Sequence, residues 1–155
     1  MLTSTAAFLR HSLVPTKRAL RLRLAPLHAY MLASIGFTVL VTLVDYIILQ
    51  PDFFAPMWLF LHGFAIFFFY MMTVAFVSLY VQLVTRMRQQ KAWPYRQAWP
   101  YTVAMTIVPM FIVILLYHAV PDWFTGGLLI LVVYVTWPLL RAPVPNKRQP
   151  RSRLT

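Results

Sequence analysis

One uninterrupted apolar stretch limits what this chain can fold into. Residues 53–85 of the 155-residue chain contain no Lys, Arg, Asp or Glu. A helix needs only about 20 apolar residues to cross the roughly 30 Å hydrocarbon core of a bilayer. A surface helix of a soluble protein carries polar residues on the face that meets water, and this stretch has no such face. It therefore predicts a membrane-spanning helix with an overhang at one end.

Polar and proline-containing breaks divide the chain into four apolar spans. Pro51 and Asp52 interrupt the first span, because proline cannot continue a helix and Asp prefers water. A basic loop follows the second span, and a turn at residues 121–123 precedes the fourth, where Asp122 is expected to cap the helix. The sequence thus predicts an all-α fold, an integral membrane bundle of four transmembrane helices. The spans are residues 29–49, 57–84, 101–120 and 123–140, between a basic amphipathic arm at 1–28 and a basic disordered tail at 141–155.

The placement of charge predicts how this bundle is oriented. The arm holds five of the 14 Lys and Arg residues, the middle loop four and the tail five, whereas the other two connections carry only Asp52 and Asp122. Basic loops stay on the side of the membrane where synthesis occurs, which predicts an N-in and C-in topology. With a net charge of +11, the inner face is expected to meet anionic lipid or a cytoplasmic partner, and no direct nucleic-acid binding is expected. The loop residues of this basic cytoplasmic face are Arg86, Arg88, Lys91 and Arg96.

Aromatic residues lie at the predicted membrane boundaries. Trp favours that level because its ring is apolar while its N–H stays hydrated. The predicted interfacial anchors are Trp58, Trp93, Trp99, Trp123 and Trp137. The arm is rich in Arg and free of acids, a composition that also describes a mitochondrial transit peptide. The predicted location is the bacterial cell membrane, with the mitochondrial inner membrane as the alternative.

Asp45 is the only acidic residue within a predicted span. A carboxyl group is costly at that depth, so it should face other helices, on the same side as Ser34, Thr38 and Thr42. His62 lies at a similar depth on the next span, and we therefore predict a hydrogen bond or ion pair between Asp45 and His62. Two interpretations remain open: a polar clasp that fixes helix pairing, or a proton-sensitive or cation site.

Other residues give no sign of catalysis. His118 lies off the polar stripe of the third span and is expected at the interface rather than as a ligand, and Pro109 is expected to kink that span. The chain has three acidic residues and no cysteine, and it lacks phosphate-loop, zinc-protease and nucleophile-elbow motifs. We expect no enzymatic activity, no cofactor and no metal.

A set of aromatic positions in the C-terminal half carries a family resemblance. These are the run Trp93-Pro-Tyr-Arg-Gln-Ala-Trp99, a span ending in Leu-Tyr-His118, then Trp123 and Tyr134-Val-Thr-Trp137. The pattern resembles a small bacterial family of four-helix membrane proteins of unknown function, often encoded beside LytTR-type transcription regulators. The first span departs from that family because it is not Gly-rich. The resemblance implies a membrane partner that restrains a DNA-binding regulator at the cytoplasmic face.

Three functions are consistent with these features. The leading prediction is an accessory or regulatory membrane protein that engages a cytoplasmic regulator or anionic lipid through its basic inner face. One alternative is a small ion- or proton-coupled transporter component that uses Asp45 and His62, as a homo-oligomer. The other is a structural subunit of a larger membrane complex, in a bacterium or a mitochondrion.

Overall fold

The computed structural model describes residues 8, 12–13, 17–52, 54–89 and 93–141, and most of them are helical. The predicted all-α fold with four main helices is confirmed, and the described residues contain no strand. Within the predicted arm, a 3₁₀ segment at Lys17–Leu24 precedes them, and from here on the arm refers to this segment. The helices are α1 (Leu27–Leu49), α2 (Ala55–Gln89), α3 (Tyr95–Ala119) and α4 (Phe124–Leu140), with a 3₁₀ turn at Pro121–Trp123. The predicted tail lies outside the described residues beyond position 141, as does most of 1–16.

The helices differ in length. Three of them, α1, α2 and α3, are long and apolar enough to cross a membrane. The 35 residues of α2 extend over about 52 Å at 1.5 Å per residue, well beyond the roughly 30 Å of a hydrocarbon core. The fourth predicted span is shorter, since α4 has 17 residues.

Backbone geometry at the helix ends explains their bounds. Pro26 and Pro94 precede α1 and α3 in extended conformation, and Gln50 ends α1 in the left-handed region at φ 41°. The prediction for Asp122 is wrong: the N-cap of α4 is Trp123 and makes no side-chain cap hydrogen bond, because the 3₁₀ turn places Asp122 before the cap position. The helix α3 continues through Pro109, and the kink predicted there stays a prediction.

The core is centred on α3. Every residue from 100 to 106 is buried, because α3 packs against the other three helices and the arm. Buried hydroxyls join it to its neighbours: Tyr101 donates a hydrogen bond to the Val135 carbonyl of α4 at 2.7 Å, and Tyr70 of α2 donates to the Val103 carbonyl at 3.2 Å. The close approach of α3 and α4 depends on Gly127, where an added Cβ would lie 3.0 Å from a methyl carbon of Val113.

Alternating helix directions separate the charges into two ends. The start of α1, the end of α2, the start of α3 and the end of α4 form what we call the basic end, and the opposite side is the acidic end. The described cations lie at the basic end, and they are Lys17, Arg18, Arg21, Arg23, Arg86, Arg88, Arg96 and Arg141. The three acidic residues of the chain, Asp45, Asp52 and Asp122, belong to the acidic end.

Candidate functional site

The acidic end contains a carboxylate shared by two histidines from different helices. Asp45 of α1 accepts a hydrogen bond at Oδ2 from Nε2 of His62 on α2, at 2.9 Å. Its other oxygen, Oδ1, accepts one from Nε2 of His118 on α3, also at 2.9 Å. One side chain therefore holds three helices together, and we call this group the Asp45–His62–His118 cluster.

Packing on α1 explains why Asp45 points inward. Ser34, Thr38, Thr42 and Asp45 are all buried, as the spacing along the helix predicts. The three hydroxyls donate to carbonyls four residues earlier in α1, so they satisfy themselves and leave the carboxylate to find partners on other helices. The side chain of Asp45 is 11% exposed, and a carboxylate so buried is stable only with good hydrogen-bond donors.

Aromatic rings support both histidines. The ring of His62 stacks on Trp58, one turn earlier in α2, with centroids 4.2 Å apart and 17° between the planes. Trp58 in turn contacts Tyr46 of α1, next to the carboxylate in sequence. His118 makes an edge contact with Tyr117. These contacts restrict the orientation of the imidazoles, so that each Nε2 faces the carboxylate.

The hydrogen bonds define the chemistry of the cluster. An ionised carboxylate only accepts hydrogen bonds, so each Nε2 carries a proton. When both imidazoles are neutral, the cluster has a net charge of −1. The described residues of the acidic end contribute no Lys or Arg to offset it. The group can therefore bind protons at the imidazoles, and nothing in it is placed as a nucleophile. Within the described part of the chain, no group of three metal-ligating side chains is arranged to hold a metal ion.

The structure brings Asp45 and His62 together, as predicted, and adds a residue that the sequence pattern missed. His118 was expected at the interface, and that expectation is wrong, because its side chain is 16% exposed and bonds to Asp45. On a straight helix His118 lies about 160° from Thr102, taking 100° per residue, which suggested opposite sides of α3. An angle of this kind separates inside from outside only on a helix with one interior face, whereas α3 is packed on several sides. The signal that the sequence offered was its position near the end of the third span, on the same side of the membrane as Asp45 and His62.

The predicted anchors have different environments. Trp123 and Trp137 are exposed, at 66% and 44%, as an interfacial residue should be, and Trp58 and Trp99 are partly exposed. Trp93 differs from them, since it is only 5% exposed and its ring packs within the bundle, and its role as an interfacial anchor stays a prediction. Its backbone N–H donates to the Thr85 hydroxyl, and the side-chain amide of Gln82 donates to its carbonyl.

The basic end is assembled from the arm and the helix ends. Leu22 of the arm is buried, and the Arg23 guanidinium lies 5.1 Å from the ring centroid of Trp93, which explains why that ring is covered. Arg86 and Arg96 are exposed on α2 and α3, and Arg88 is partly exposed. Lys91 lies outside the described residues. No acidic residue of the chain lies at this end, so its cations are not neutralised by carboxylates of the bundle.

A groove of about 500 Å³ opens between α1 and α2 toward the membrane. Its walls are aliphatic and aromatic, among them Val39, Phe60 and Phe64, and Thr38 and Thr42 are its only hydroxyl-bearing residues. Because those hydroxyls already bond to their own helix, the groove offers contacts to a hydrocarbon chain and almost none to a polar substrate.

The fold and the cluster together define an all-α, membrane-associated bundle in which three helices share a buried carboxylate. No family model, curated protein or solved structure matches the chain.

Proposed function

We propose that the protein is a non-enzymatic integral membrane protein that acts as an accessory or regulatory subunit, holding an acidic cytoplasmic partner at its basic end. The observation that carries this proposal is the separation of charge. Cations cluster at one end of the bundle, and all three carboxylates lie at the other.

The orientation follows from the same separation. Short basic loops are retained on the cytoplasmic side, so the basic end faces the cytoplasm and the connections that carry Asp52 and Asp122 face the opposite compartment. The exposed guanidinium groups of Arg86 and Arg96 then lie at the cytoplasmic surface. Guanidinium groups bind carboxylates and phosphates in bidentate geometry, which suits an acidic protein surface.

The shape of the basic end supports docking. Because α2 is about 20 Å longer than a hydrocarbon core, one of its ends extends past the lipid, and its last turn carries Arg86 and Arg88. The arm packs across the start of α3 and adds Arg21 and Arg23 to the same surface. The resemblance to membrane partners of LytTR-type regulators agrees with a regulator as the docked protein.

Site-specific cross-linking tests this function. A photoreactive amino acid at Arg96 is compared with the same group at Asp52, an exposed position of the acidic end. We expect a cytoplasmic acidic protein to cross-link at 96 and not at 52, and the yield to fall with added salt because the contact is ionic. A further charge-neutralised protein carries Arg86→Gln and Arg88→Gln, and its yield should fall as well. Cross-links only to lipid, or equal yields from both positions, would contradict the proposal.

A second candidate function is ion- or proton-coupled transport, and the buried cluster is the observation that favours it. Asp45 and the two histidines are groups that can carry a proton within a largely apolar bundle. In liposomes this function predicts a proton flux that Asp45→Asn abolishes and Asp52→Asn leaves intact. A wild-type flux equal to that of empty liposomes would remove this candidate.

A further inference from the structure

We propose that the Asp45–His62–His118 cluster is a proton-binding site that fastens the acidic end of the bundle, so that uptake of one proton tightens the contact between α1, α2 and α3. The site requires neither the partner proposed above nor transport, since it depends only on contacts within the bundle.

The cluster connects three helices through one side chain. Both oxygens of one carboxylate are used, and they bind histidines that are 17 and 73 residues away in the chain. Breaking either contact releases one helix from α1 at this end. The cluster therefore acts on the spacing of three helices rather than on local structure.

The net charge of the cluster depends on whether its imidazoles are protonated. With two neutral imidazoles the cluster holds one carboxylate charge against two neutral donors. A proton added to the free Nδ1 of either ring makes an imidazolium, and the net charge of the cluster becomes zero. The neutral donor is then replaced by a charged one, so that a hydrogen bond whose acceptor was already charged becomes an ion pair as well. Proton uptake therefore strengthens the attraction at the point where the helices meet.

Other charged and titratable groups lie at the same end of the bundle as the cluster. Asp52 and Asp122 are exposed carboxylates of the same end. The titratable side chains next to the cluster in sequence are Tyr46 of α1 and Tyr117 of α3, and α2 contributes only His62. The tyrosine of α4, Tyr134, bonds instead to the backbone of Ser12. The charged side chains described at this end, apart from the histidines, are thus all carboxylates.

The three side chains of the cluster differ in how far they are exposed. The side chain of His62 is 30% exposed, against 16% for His118 and 11% for Asp45. His62 is therefore the least enclosed group of the cluster, and His118 is the more deeply held partner. In the orientation proposed above, the cluster responds to the pH of the compartment opposite the cytoplasm.

Because the bound proton is stabilised by a contact that exists only in the folded bundle, stability rises as pH falls through the range in which the cluster takes up its proton. Spin labels measure this directly, since the chain contains no cysteine and introduced cysteines are unique. One pair of labels is placed with Leu49→Cys and Val120→Cys, at the acidic ends of α1 and α3. A matched pair at the basic end uses Arg86→Cys and Arg96→Cys.

In lipid nanodiscs, the distance distribution of the acidic-end pair should narrow as the pH is lowered and the cluster takes up its proton. The basic-end pair should not change. Asp45→Asn should abolish the narrowing, and His118→Gln should abolish it while the contact of Asp45 with His62 remains. No narrowing in the wild-type bundle, or equal narrowing in Asp45→Asn, would overturn the proposal.

A second readout covers the case in which Asp45→Asn fails to fold. In the wild-type protein labelled with ¹⁵N at histidine, the titrations of His62 and His118 should depend on each other, because they share one carboxylate. His118→Gln should alter the titration of His62 and leave that of His28, near the basic end, unchanged. Independent titration of the two rings would show that they share no proton-binding site.

Discussion

Replacing Asp45 by Asn tests how much the shared carboxylate stabilises the bundle. The two side chains have nearly the same shape, but an amide has one acceptor oxygen and a donating NH₂ group. One histidine can still donate to the amide oxygen, although the charge of that acceptor is lost. The other histidine faces the NH₂ group and keeps a hydrogen bond only if it changes tautomer, so that its Nε2 accepts. The variant therefore weakens both interhelical contacts and reverses the donor and acceptor in one of them.

The magnitude follows from the geometry and the exposure. A polar contact between helices in a membrane is worth roughly 0.6 to 2 kcal/mol, and the 30% exposure of His62 places its share near the lower bound. The loss is partly offset because Asn removes the cost of burying a charge. We expect Asp45→Asn to lower the free energy of unfolding by about 1–2 kcal/mol at neutral pH.

Reversible unfolding in mixed detergent micelles measures this value, and Asp52→Asn is the matched control, because that carboxylate is exposed at the same end of the bundle. A double-mutant cycle with His118→Gln isolates the contact from the effect of the charge itself. If Asp45→Asn costs as much in the His118→Gln background as in the wild type, the contact between these two residues contributes nothing and the reasoning is refuted.

Three further predictions concern packing and topology. Gly127→Ala should be about 1–2 kcal/mol less stable than Gly36→Ala, which meets no atom within 4 Å, and the same micelle unfolding compares them; equal values would show that α3 and α4 are not held this close. Ser78→Ala should leave the protein as stable or make it more stable by up to about 1 kcal/mol, because the buried hydroxyl of Ser78 has no hydrogen-bond partner; a lower melting temperature would reveal a partner. In intact cells, Asp52→Cys should react with an impermeant thiol reagent and Arg96→Cys should not; the reverse labelling would invert the proposed orientation.

Much of the architecture could be predicted because the signals are local. Runs of apolar residues interrupted by proline and charge locate the bounds of the four helices to within six residues, the largest difference being the start of α3. The spacing of Ser34, Thr38 and Thr42 identifies the buried face of α1. The pairing of Asp45 with His62 was accessible for the same reason, since a short turn fixes the depth of both residues.

Contacts between distant segments could not be predicted in this way. Whether His118 faces the interior depends on how many neighbours surround α3, and a period along one helix does not carry that information. The burial of Trp93 depends on an arm about 70 residues earlier in the chain, which places Arg23 over the ring. His and Trp occur both at membrane interfaces and in buried positions. In both cases tertiary packing decides which of these environments the residue has.

The brevity of α4 has a mechanical consequence for the surrounding lipid. In the proposed topology α4 crosses the bilayer, and because its 17 residues span only about 25 Å, the acyl tails beside it would have to compress by roughly 5 Å to stay against apolar side chains. Lipids with short tails relieve that strain, and so do neighbouring proteins that thin the bilayer in the same way. The molecule should therefore gather in thin regions of its membrane and associate laterally along the α4 side.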